Sequence, residues 1–155
     1  MRHVLRLALA AAMVWMVAPG TAAARQAKTD DYAWAAACKE CHAAEYAAWD
    51  RTKHAHAINR LSGSEKDADG KCISCHVTGA PSLLADDVNA NIQCEACHGA
   101  GKAHIAAAAG GAAKPGAIVA VPAESVCVQC HSEKSPHFKF FSYAAMAGLV
   151  HQVPK

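Results

Sequence analysis

Cys94-Glu95-Ala96-Cys97-His98-Gly99-Ala100-Gly101-Lys102-Ala103-His104 carries two thiols, a histidine directly after the second thiol, and another histidine further on. Its first part is C-x-x-C-H, the attachment signature of c-type haem. Two intervening residues set the sulfurs at the separation of neighbouring vinyl groups on a porphyrin edge, and the adjoining imidazole then falls beneath the iron. The same pattern stands at Cys38-Cys41-His42, Cys72-Cys75-His76 and Cys127-Cys130-His131, so all 8 cysteines sit in copies of one motif. A chain of this composition would contain roughly 0.03 copies by chance. Disulfide frameworks and zinc sites also use C-x-x-C pairs, but neither requires a histidine after every second cysteine. The sequence therefore predicts four covalently bound c-type haems.

Residues 1–24 begin with Arg2, His3 and Arg6, continue through an apolar run from Leu7 to Val17, and end at Ala22-Ala23-Ala24. That is the pattern of a secretory signal peptide, which leaves residues 25–155 as one cytochrome domain. The apolar run is short for a bilayer span and no later segment approaches that length, so no membrane span is expected in the mature chain. Export suits the haems, whose attachment is completed outside the cytoplasm; a periplasmic or extracellular location follows. Without Arg2 and Arg6 the basic and acidic residues balance, and the haem propionates then make the holoprotein acidic. The lysines are scattered, with no basic run interleaved with aromatics, which argues against a nucleic-acid partner.

Trp34, Trp49, Tyr32, Tyr46, Tyr143, Phe138, Phe140 and Phe141 are the only aromatics after the leader, too few for a large core. The porphyrins are expected to serve as that core, in a mainly α fold with much irregular loop organised around four haems. Residues 30–61 are rich in alanine, lack proline and glycine, and read as mostly helical. Ser62 to Gly70 reads as a polar loop, residues 80–93 as a connector, and Ala106 to Pro122 as an irregular surface segment. Ser142 to Val150 reads as a short helix delivering His151. The stretches between motifs are dissimilar, so no solenoid is expected.

Beyond His3 and the four motif histidines stand His54, His56, His104, His137 and His151, one more than four irons need as sixth ligands. Met146 is the only methionine after the leader, so at most one iron can have His/Met ligation. Mostly bis-His ligation, with low potentials, is the expectation. His54 and His56 stand two apart, and on a helix they point about 200° away from each other, so one haem face can use only one of them. His104 follows His98 across a tight Gly99-Ala100-Gly101 turn and should serve a neighbouring haem. His54, His104 and His151 are the favoured metal ligands; His56 and His137 are the two others.

The order of C-x-x-C-H, Trp49, Lys53-His54-Ala55, Cys72-Ile73-Ser74-Cys75-His76-Val77-Thr78-Gly79, Cys94 to Gly101 and His104 resembles the tetrahaem cytochrome c-554 family. The ending Phe138-Lys139-Phe140 with His151 is similar too. The resemblance implies a mainly helical fold in which haems stack in closely spaced pairs and relay electrons. It further implies that His104 lies opposite His42, His54 opposite His98, and His151 opposite His131. The haem held by His76 lacks a distal protein ligand in that family, and here His56 or His137 stands available for it.

The leading reading is an electron carrier without catalytic residues, exchanging electrons with periplasmic or membrane cytochromes or a quinol-linked oxidoreductase. Two alternatives are an enzyme reducing a small nitrogen oxide or peroxide at an open iron on His76, and a subunit of an extracellular cytochrome filament.

Overall fold

The computed structural model describes residues 28–67, 70–111 and 118–152, so the leader expected over residues 1–24 lies outside the described residues. Seven α-helices are found there: α1 (Trp34–Cys38), α2 (Ala43–Asp50), α3 (Gly63–Asp67), α4 (Cys94–His98), α5 (Lys102–Ala109), α6 (Glu124–Cys127) and α7 (Tyr143–Met146). Short 3-10 turns at Thr29–Asp31, His54–Arg60, Ile73–Cys75, Ala85–Asp87 and Ala147–Leu149 complete the helical part. The fold is mainly helical with much loop, and an isolated antiparallel bridge joins Val77 to Ala90.

The expected helical stretch over residues 30–61 is helical in pieces. It breaks at residues 39–42, where the first motif turns, and again after α2, where the Thr52 amide donates to the Trp49 carbonyl. Residues 62–70, expected as a polar loop, contain α3. Ser62 starts this helix by donating to Glu65: its amide and its hydroxyl both donate to the Glu65 carboxylate, at 2.7 and 2.8 Å. This is the S-x-x-E pairing that opens helices. The segment 106–122, expected as irregular, instead begins with Ala106–Ala109 as the last turn of α5. Four consecutive alanines lose almost no side-chain freedom in a helix, and Gly110 then ends it. The closing segment does form α7 and a 3-10 turn ahead of His151.

The core is small and made of small side chains. Ala35, Trp49 and Ala55 cluster with Tyr46 and Cys94 packed against them, and the Trp49 indole N–H donates to the Ile92 carbonyl at 2.8 Å. The segment expected to be a connector is mostly exposed or half-buried, yet Asn89 and Gln93 within it are buried. Asn89 is 0 % exposed; its side-chain oxygen accepts from the Leu84 amide and its side-chain nitrogen donates to the Ser82 carbonyl. The Thr78 hydroxyl donates to the Asn91 carbonyl and accepts from the Gln93 amide, both at 2.8–2.9 Å. Asp86, Asp87 and Asn91 take left-handed φ of 56°, 52° and 71°, a conformation Asp and Asn tolerate better than other non-glycine residues. Polar side chains here do the work that ladder bonds do in a sheet, satisfying buried backbone groups one at a time. No apolar periodicity accompanies such a wrap, so residues 80–93 carry no mark of it.

Asn89→Ala removes the acceptor of the Leu84 amide and leaves a buried donor unmade, at a cost of about 1–3 kcal/mol. Guanidinium unfolding of the holoprotein followed by circular dichroism should register that loss. An unchanged midpoint would show that this wrap does not hold the fold.

Candidate haem centres

Each motif occupies one helical turn, and the turn arranges its chemistry. Cysteines at positions i and i+3 and a histidine at i+4 fall on one face. α4 is the third motif itself, while α1 and α6 end on the first cysteines of the first and fourth motifs. In the first motif the amides of Cys41 and His42 both donate to the Cys38 carbonyl, and in the fourth the amides of Cys130 and His131 both donate to Cys127. The second motif makes its turn as the 3-10 helix Ile73–Cys75.

Three motif histidines face a histidine from elsewhere. His42 and His104 have ring centroids 6.4 Å apart, His98 and His151 5.9 Å, and His54 and His131 5.9 Å. A metal–imidazole bond of about 2.0 Å, plus about 1.1 Å from ring nitrogen to ring centre, places two imidazoles sharing one metal atom about 6 Å apart. All three pairs match that spacing. Their interplanar angles of 29°, 30° and 60° are each compatible with a shared axis, about which either ring is free to turn.

The ring of His104 lies beside that of His42, which the resemblance implies as its partner. The ring of His54 lies beside His131 and that of His151 beside His98, whereas the resemblance implies the opposite assignment. The reason is where the segments run. The His98 imidazole Nδ1 is bonded to the Val119 carbonyl and the Val119 amide donates back to the His98 carbonyl, so the third motif is tied to the later part of the chain. His131 instead stacks on Phe141 at 5.0 Å and lies beside His54. Burial, and then the charge of His131, lower the His54 pKa, which keeps its ring neutral as a metal ligand must be.

His76 has its Nδ1 2.7 Å from the Ala57 carbonyl. As in His98, an Nδ1–H given to a carbonyl leaves the Nε2 lone pair for a metal. Among the described residues no histidine ring faces His76 as in the three pairs. His56 does not approach it: its exposed ring bonds through Nε2 to the Asp50 carbonyl at 2.8 Å, across the end of α2. His137 does reach the second motif, lining with Cys72, Cys75, His76 and Glu65 a cavity of about 200 Å³. The Ser62 amide and hydroxyl hold the Glu65 carboxyl below the usual range, with the charges of His137 and His76 adding to the effect. All three facing pairs are imidazole pairs, and Met146 belongs to none of them.

The thiols also show how the motifs adjoin. Cys38 is in side-chain contact with Cys94, and with burial this neighbour pushes the Cys38 thiol well up. Burial and the Cys75 thiol push Cys130 up to about 12. Cys97 feels Cys127 electrostatically. The first motif therefore abuts the third, the third adjoins the fourth, and the fourth abuts the second. Cys38, Cys97 and Cys130 are thus shifted toward the protonated thiol, whereas the Cys38 side chain lowers the pKa of its partner Cys94.

These residues fit covalent haem: paired sulfurs for attachment, imidazoles of which His76 and His98 bond a carbonyl through Nδ1, and ring pairs at the separation a shared iron demands. All eight cysteines are free of disulfides. Among the described residues no group of three or more His, Cys, Asp or Glu side chains could hold a metal ion by itself. Residues 37–99 match the family model described as cytochrome c554 and c-prime. Over that stretch the chain is similar to the cytochrome c554 and c-prime family. That similarity suggests a c-type cytochrome with covalently bound haem. No curated protein and no solved structure matches the chain. The matched residues hold the first three motifs and His54; the fourth motif, His104, His137 and His151 lie beyond them, where their assignment rests on geometry. No helix among the described residues is long and apolar enough to cross a membrane.

Two residues with a structural hand in the site were not singled out in the sequence. Gln93 accepts the Ala35 amide at 2.7 Å, and Glu95 accepts the Ala33, Trp34 and Gly101 amides at 2.8, 2.7 and 2.6 Å. Glu95 occupies one of the two variable positions between cysteines, which the attachment chemistry leaves unrestricted, so nothing in the motif marked it.

His54→Ala tests the exchanged pairing. The haem that turns high spin should be the one whose proton signals contact the Phe141 ring, read by paramagnetic NMR. Contacts to Val119 instead would return His54 to His98.

Proposed function

We propose that the mature chain is a periplasmic tetrahaem cytochrome that passes electrons between redox partners, with no substrate of its own. The observation that carries this is the set of three facing imidazole pairs, each belonging to a different C-x-x-C-H motif. Iron held between two imidazoles exchanges one electron with little rearrangement, and at lower potential than with His/Met ligation. Cys38 and Cys41, Cys72 and Cys75, Cys94 and Cys97, and Cys127 and Cys130 are the attachment thiols. His42 with His104, His98 with His151 and His131 with His54 bind three irons, and His76 binds the fourth. The neighbouring thiols support an order of adjacency that runs second, fourth, third and first motif. Entry and exit for partners are then at the two ends, the second motif and the first. Periplasmic or membrane cytochromes and a quinol-linked oxidoreductase are the partners this role calls for, and the leader over residues 1–24 supplies the export.

A second reading, reduction of a small nitrogen oxide or peroxide, has one observation in its favour. The cavity beside His76 has room for a small ligand and is lined by polar side chains, Glu65 and His137 among them. Turnover separates the readings: with an electron supply, a carrier shows no sustained consumption of nitric oxide, hydroxylamine or hydrogen peroxide, whereas an enzyme working at the iron on His76 does.

Purified from cells with haem-attachment machinery, the protein should weigh the processed chain plus four haems and accept four electrons per chain in coulometric titration. A colourless, folded product with the mass of the bare processed chain would end the proposal.

A further inference from the structure

The first helix of the described chain lacks a cap of its own. No side chain at its N-terminus caps α1; instead the amides of Ala33 and Trp34 are taken by Glu95 and that of Ala35 by Gln93, from the far side of the chain. Trp34 has φ of 65°, a left-handed conformation that costs a bulky residue about 1–3 kcal/mol and persists only when its surroundings hold it. The bond from the Trp34 amide to Glu95 Oε2 is one such hold. The Glu95 side chain is 2 % exposed, and its other oxygen, Oε1, accepts both the Ala33 amide and the Gly101 amide. Gly101 is buried and immediately precedes α5. A methyl at Gly101 would stand 3.1 Å from Glu95 Oε1, so the close approach of this backbone to the carboxylate requires glycine or a shift.

The two segments gripped by this one carboxylate lead to the two faces of one haem. α1 ends on Cys38, and the turn after it delivers His42; α5 carries His104 in its first turn, with its ring 6.4 Å from that of His42. We infer that Glu95, although it belongs to the third motif, is the positioning residue for axial ligation of the haem on the first motif. Its carboxylate fixes the distance between the segments that carry His42 and His104. Charge matters as well as reach, because three N–H donors converge on it and only a group with acceptors on both oxygens satisfies all three. A glutamine of the same shape turns an NH2 toward at least one of those donors. This inference rests on the proposed His42 and His104 ligation and adds to it a residue that touches neither ring.

The test uses holoprotein throughout. Glu95→Gln should keep all four haems by mass yet convert about one haem in four to a high-spin ferric signal. Reduced Glu95→Gln should take up about one more carbon monoxide per chain than the wild type. His104→Ala should give the same signature, and the double variant should be no worse than His104→Ala alone, since both changes act on one ligand. Equal low-spin spectra for Glu95→Gln and wild type would overturn the inference while leaving the ligation itself intact. Loss of low-spin signal from several haems together, or effects that add to those of His104→Ala, would overturn it too, marking Glu95 as a general support of the fold. Failure of His104→Ala to create any high-spin haem would instead strike the ligation on which it rests. Should Glu95→Gln not mature, Gly101→Ala decides. It leaves the carboxylate in place but crowds it, and should shift the electron paramagnetic resonance signal of the same haem alone; an unshifted spectrum would overturn the inference.

Discussion

Two imidazoles that share one iron must face each other about 6 Å apart across a plane as wide as a porphyrin. A chain cannot meet that demand locally. The residue after a C-x-x-C pair lies against one face of the ring, and reaching the other face means travelling around it, so the second imidazole comes from a remote segment. His42 meets His104, His98 meets His151 and His131 meets His54, and each meeting pulls two distant stretches together. Long helices would prevent this. The helices are accordingly one or two turns long, ending where a motif begins or where the chain must bend toward its next partner.

A chain so arranged has little polypeptide left for a core of its own. Its buried apolar residues are mostly alanines around one tryptophan, whereas Thr78, Asn89, Gln93 and Glu95 are buried with their hydrogen-bonding groups satisfied. The consequence is a wrapping with precise polar fastenings and small apolar surfaces. Such a wrapping gains most of its buried area from whatever fills it, which ties folding to haem attachment. Glu95 shows how the fastenings reach across motifs: a carboxylate from one attachment turn secures the start of α1 and the start of α5. The arrangement couples the centres mechanically, in addition to the contacts between their attachment thiols.

Much of the site was legible from residue types alone, because covalent chemistry restricts spacing severely. C-x-x-C-H permits no other separation between sulfur, sulfur and imidazole, and the helical turn that carries it follows from that spacing. The helix on Ser62 to Glu65 was legible too, through an S-x-x-E pair that a reading of Ser62 to Gly70 as loop passed over. The wrap over residues 80–93 was not. Asn89 and Gln93 are buried because their amides replace backbone partners, and nothing in a stretch of Asp, Asn and Ala distinguishes that use from exposure to water.

The sequence by itself determined the spacing: which cysteines stand as C-x-x-C pairs, which histidine adjoins each pair, and that the stretch over residues 30–61 is rich in alanine and helical. Those properties depend on neighbours along the chain. Only the tertiary structure decided which remote imidazole faces which motif, turning His54 to His131 and His151 to His98, and leaving His56 bonded to the end of α2. A distal histidine has no spacing rule. Its partner is fixed by where the backbone passes, and that path is set by contacts such as those of Val119 with His98 and Phe141 with His131, which join residues with no relation in sequence.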